Sequence, residues 1–136
     1  MRNYSVHSLK KNQKISKIWN VKKADFQNFI RLSGDKNPIH SNFNYAVSKG
    51  YKNIIAPGFL LGSKVSGIIG TFLPGKRCLL LEEKLIFKSP MYPGDTLRIE
   101  ISVKDLNKSL SVVALKVNVT KKRLKVSVGE LLCKIL

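Results

Sequence analysis

Asp35 and His40 stand five positions apart with Pro38 between them, in the run Ser33-Gly34-Asp35-Lys36-Asn37-Pro38-Ile39-His40. A carboxylate and an imidazole held that close can take a proton from water and return one to carbon. Imidazole suits this work because it changes charge near neutral pH. Further along, Ala56-Pro57-Gly58-Phe59-Leu60-Leu61-Gly62 opens a long, almost uncharged apolar stretch. The first amides of a helix have no intrahelical partner and lie at its positive end, so Gly58 N–H is a candidate donor to a developing oxyanion. Glycine also keeps a Cβ out of a substrate's path. Together these parts suit proton transfer beside a carbonyl.

Each residue also has a purely structural reading. Asp35 and Asn37 fit an Asx turn leading into Pro38. His40 beside Ser41 fits the approach to a helix cap, and Gly58 fits a turn. Asp95, in Pro93-Gly94-Asp95, reads as a hairpin residue and not as an acid.

The elements that position these residues follow from periodicity. Residues 13–20 read as a short strand. Phe26, Phe29 and Ile30 recur at helical spacing, predicting a helix over 21–32 with Asn20 as its N-cap. A loop over 33–39 follows, because Asn37 and Pro38 oppose helix continuation. Ser41 or Asn42 can cap a second short helix that stops at Gly50. The central helix, 57–72, is apolar nearly all round, which predicts burial on most sides; Pro57 suits its first position. Gly62, Ser66 and Gly70 form a stripe of small side chains along it.

Beyond Leu73-Pro74-Gly75 the period changes from 3.6 to 2. Strands are predicted over 79–87, 97–104, 113–119 and 124–135. In the last, apolar residues shift phase between Val128 and Leu131, which predicts a bulge at Gly129. The pattern is α+β: an antiparallel sheet wrapped around a long central apolar helix, with strand edges that invite a homodimer.

With 136 residues, the chain reads as one domain, 1–136, of ordinary polarity (43% hydrophobic, mean hydropathy −0.07). No apolar run reaches the ~20 residues of a membrane span. Cys78 and Cys133 lie in strand-like segments and read as reduced core thiols. No cluster suggests a metal, and no motif requires a cofactor. The basic start lacks the apolar core of a secretory signal, so a cytoplasmic protein is expected. The formal charge of +17 attracts polyanions. Its lysines are spread over nearly every segment, without an aromatic-interleaved RNA motif. We therefore expect a solvated, lysine-rich surface, with steering of an anionic substrate as the alternative, and no specific nucleic-acid partner.

The run 32–40 resembles the hydratase motif of the MaoC-like proteins, the group containing the R-specific enoyl-CoA hydratases. The resemblance continues through Ala56-Pro57-Gly58-Phe59-Leu60-Leu61, Ser66-Gly67, Leu73-Pro74-Gly75, Leu85-Ile86-Phe87-Lys88-Ser89-Pro90 and Pro93-Gly94-Asp95. It implies a hot-dog fold, a dimer, and reversible hydration of trans-2-enoyl thioesters to (R)-3-hydroxyacyl thioesters. The carrier would be coenzyme A or an acyl carrier protein. It further implies that Asp35 and His40 are the catalytic pair, that Gly58 N–H holds the thioester oxygen, and that Ser66 and Asn37 support them. Which of Asp35 and His40 is the base is left open by the residues. Pro57 stands where these hydratases commonly have histidine, a change that leaves the Gly58 amide in place. Two rival readings stand beside it: a hot-dog acyl-thioesterase, in which a carboxylate activates water against the carbonyl, and a non-enzymatic basic module that binds nucleic acid or carrier protein.

Overall fold

The computed structural model describes residues 1–136. In chain order it comprises β1 (Lys14–Asn20), α1 (Lys23–Ser33), a 3-10 turn (Pro38–His40), α2 (Phe43–Ser48) and α3 (Gly58–Thr71). The strands β2 (Cys78–Phe87), β3 (Thr96–Asn107), β4 (Val112–Lys121) and β5 (Leu124–Ile135) follow. All five strands form one antiparallel sheet in the order β1-β3-β4-β5-β2, so β1 and β2 are its edges.

The alternating residues of the long strands bury one face. Leu97, Ile99, Ile101 and Val103 of β3 share a core with Val113, Leu115, Val117 and Val119 of β4 and Leu131, Cys133 and Ile135 of β5. That face closes over Leu60, Leu61, Val65, Ile68 and Ile69 of α3. The opposite face of α3 is uncovered: Phe59, Ser63, Ser66 and Gly67 are exposed, so the burial on most sides expected from its composition is not reached within the single chain. The α+β architecture expected from periodicity is the one observed.

Three local expectations are corrected. Asn20 does not cap α1: it is the last residue of β1, and its Oδ1 accepts from Thr96 Oγ1 at 3.0 Å. Lys22 holds the N-cap position, with its N–H donating to Asp25 Oδ2 at 3.3 Å. Pro57 is likewise a residue earlier than placed, at the N-cap of α3 with extended ψ of 136°, and Gly58 is the first helical residue. Nor does β5 bulge at Gly129, which pairs regularly with Val117 and Leu85. The shift falls at Val126, skipped between Ser127 and Lys125 opposite β4, because its carbonyl turns to accept Lys88 N–H and Ser89 N–H. Gly129 has a different cause: a Cβ there would lie 2.2 Å from Lys84 O, so only glycine lets β2 approach.

The Pro93-Gly94-Asp95 turn is pinned by its acid. Asp95 is 7% exposed, accepts Tyr92 N–H at 2.9 Å through Oδ2, and pairs with the Lys121 ammonium through Oδ1. Asp95→Ala strands both donors. We expect a loss of about 2–3 kcal/mol, seen as a fall of about 10 °C in melting temperature. A change below about 2 °C would show that the pair is not holding the turn.

Candidate active site

The C-terminal end of α1 sets the position of the carboxylate. Gly34 adopts a left-handed φ of 73° and returns its N–H to Ile30 O, which ends the helix and turns the chain. Asp35 follows, its N–H donating to Ser33 Oγ at 3.2 Å. Asp35 Oδ1 accepts Asn37 N–H at 2.9 Å, and Asn37 Oδ1 accepts Ile39 N–H at 3.1 Å. The Asx-turn reading is thus correct for these two residues. Asn37 supports the loop twice, its amide fixing the aspartate and its side chain capping the 3-10 turn.

His40 ends that turn. Its Nδ1 lies 2.7 Å from Ile55 O, and its Nε2 lies 3.7 Å from Asp35 Oδ2. A carbonyl oxygen can only accept, so Nδ1 carries the hydrogen. In the neutral ring Nε2 therefore has a free lone pair directed toward the carboxylate. Two acceptors facing each other across 3.7 Å repel unless a proton or a water lies between them. Asp35 Oδ1 is occupied by Asn37, which leaves Oδ2 for that role.

The same contacts bring Gly58 alongside. Ile55 N–H donates to Ile39 O at 3.1 Å, and Ala56 N–H donates to Met91 O at 2.8 Å. These bonds hold residues 55–58 between the His40 turn and the 88–91 loop. His40 and Gly58 line one cavity of about 360 Å³, together with Tyr51, Phe87, Lys88 and Met91. The Gly58 N–H has no hydrogen-bond partner in the protein. A Cβ on Gly58 would lie 2.8 Å from the tip of the Phe87 ring, so any larger residue there must displace that side chain.

His40 and Gly58 thus share a cavity at the start of α3, and Asp35, held by Asn37, faces His40. Ser66 is not among them. It lies two turns further along α3, about 12 Å on, is exposed, and makes no hydrogen bond to Asp35 within the chain. Ile55 O, which sets the histidine tautomer, carries no signal in the sequence: any residue type supplies a carbonyl.

A family model for the MaoC like domain matches residues 5–126. The chain belongs to the MaoC-like family. Among curated relatives, an (R)-specific enoyl-CoA hydratase of Aeromonas caviae is 33% identical over 111 residues, covering 82% of this chain and 83% of that protein. A protein of the same name from Rhodospirillum rubrum is 35% identical over 98 residues, covering 72% and 68%. Among solved structures, an unliganded R-hydratase from Pseudomonas aeruginosa superposes with a TM-score of 0.90 at 30% identity, covering 98% of this chain and 86% of that one. The MaoC-like protein described here has their hot-dog fold, with α3 as the helix inside the sheet, and is a hydro-lyase by family.

Proposed function

We propose that this MaoC-like protein adds water across trans-2-enoyl thioesters to give (R)-3-hydroxyacyl thioesters, and catalyses the reverse dehydration. What supports this reading is the His40 Nε2 lone pair facing the free Asp35 Oδ2, together with the unpartnered Gly58 N–H on the cavity that His40 lines. The (R) outcome rests on the relatives' names.

A water held between Nε2 and Oδ2 donates to both and keeps a lone pair on oxygen for C3 of the enoyl chain. As the C3–O bond forms, electrons move from the C2–C3 double bond toward the thioester oxygen. One proton of the water passes to the Asp35–His40 pair. The Gly58 N–H, at the positive end of α3, stabilises the resulting enolate oxygen. The pair then returns a proton to C2, so water is added and nothing else is consumed. The proton in transit belongs to the pair as a unit.

A second copy is assigned to β2 and the start of α3. That edge strand exposes Leu79, Leu81, Ile86 and Phe87, and Phe59 beside it is 83% exposed. An unpaired apolar edge of this kind is a pairing surface. Sedimentation should give twice the 15.3 kDa chain mass; a stable monomer would remove the homodimer. The exposed Ser66 face of α3 adjoins this surface, and we assign the serine's supporting role to the assembled dimer.

The carrier is coenzyme A or an acyl carrier protein. Both are anionic, and Lys88 on the cavity has no carboxylate within 4.0 Å. A charge-steered carrier loses kcat/KM as salt rises. No helix is long and apolar enough to cross a membrane. The free thiols Cys78 and Cys133 support a reducing, cytoplasmic location. The deciding experiment follows loss of the conjugated enoyl absorbance of crotonyl-CoA, with chiral analysis of the product. Hydration to the (R) alcohol is expected. Thiol release from a saturated acyl-CoA, with no hydration, would give the site to a thioesterase.

A further inference from the structure

A second cavity, of about 550 Å³, opens on the other side of Phe87 and runs from Gly58 to Gly62 along α3. Its β2 wall is built from Glu83, Leu85 and Phe87, alternate residues that face α3, with Lys84 also bordering it. Leu85 packs against the core and Phe87 lies over Gly58, as an inward-facing row should. Glu83 breaks the row. Its Oε2 lies 3.2 Å from where a Cβ on Gly62 would sit, so the carboxyl rests directly on the glycine surface of the helix. Within the chain no side chain or amide hydrogen-bonds to it and no cation lies within 4.0 Å. The residue is exposed in the single chain, but its packing on α3 withdraws the carboxyl from water enough to push its pKa up.

Resting on the hydratase reading above, we infer that Glu83 limits the length of the acyl chain, restricting efficient turnover to enoyl thioesters of about four carbons. With the thioester oxygen on Gly58 N–H, the tail leads along the apolar cavity toward Gly62. One helical turn separates the two glycines, about 6 Å along the axis. An extended chain advances about 1.2 Å per bond. A four-carbon tail therefore ends short of Glu83, whereas a tail of eight carbons must lie against it. Those extra methylenes would strip water from an unpartnered carboxylate and offer it no hydrogen bond in return. A leucine at the same place would continue the apolar wall.

The test is the ratio of kcat/KM for trans-2-octenoyl-CoA to that for crotonyl-CoA, measured in the wild type, in Glu83→Leu and in the near-isosteric Glu83→Gln. The wild type should disfavour the eight-carbon substrate by at least about tenfold, the discrimination a pocket achieves over a few methylenes. Glu83→Leu should raise the ratio about tenfold or more, and Glu83→Gln should raise it less. A wild type that hydrates both substrates equally well overturns the inference without any variant. So does an unchanged ratio in folded Glu83→Leu. Failure to hydrate an enoyl-CoA of any length would instead overturn the hydratase reading and take this inference with it.

Discussion

Replacing Asp35 by asparagine should lower kcat for crotonyl-CoA hydration by about 1,000-fold, within the range that positioned acid–base groups supply. The substitution is informative because the carboxamide keeps an oxygen for Asn37 N–H, the contact that shapes the loop. What it removes is the charge on the oxygen facing His40. His40→Ala should cost at least about 100-fold. It also strands Ile55 O, so its melting temperature must be measured beside its rate. The double variant should be no slower than the worse single variant by more than about threefold, since groups that act as a unit do not lose rate additively. Multiplying losses would show that the two residues serve separate steps. Near-wild-type turnover in both single variants would remove the mechanism.

The proposed oxyanion donor is a main-chain amide, and proline offers a way to delete it. Gly58 is the first residue of α3, where proline's missing N–H costs the helix nothing. Pro57 before it is already extended, with φ of −57° and ψ of 136°, as a residue preceding proline must be. Gly58→Pro and Gly58→Ala both place a Cβ against the Phe87 ring, at 2.8 Å before any adjustment. Only the first loses the N–H. Both should be impaired by the crowding, and Gly58→Pro should have a kcat at least about 100-fold below that of Gly58→Ala, the effect of one oxyanion donor. Equal rates in the two folded variants would mean that the glycine is kept only for space.

The candidate acid–base residues were legible because their types are rare and their spacing is short. Asp35, Asn37 and His40 lie within one tight loop, so chain connectivity already confines them to a small volume. The apolar helix and the alternating strands were equally legible, since a side chain's phase along its own element decides which face is buried. Exceptions arose where backbone geometry, which does not depend on side-chain type, took over. The bulge at Val126 is set by its carbonyl turning to the 88–89 amides, and the glycine three residues on is set by a crossing backbone.

By itself, then, the sequence determined the family, the architecture and the short spacing of the candidate acid–base residues, all of which follow from local pattern. Tertiary structure alone decided how those groups are poised. The histidine tautomer depends on Ile55 O, which reaches Nδ1 only because the 55–58 segment pairs with the 3-10 turn. The donor depends on α3 presenting Gly58 to the same cavity as His40. The Glu83 carboxyl depends on β2 packing across Gly62, a contact between residues 21 positions apart. Hydrogen-bond direction and burial are properties of what lies across space from a group, and residues distant in the chain supply that only once it has folded.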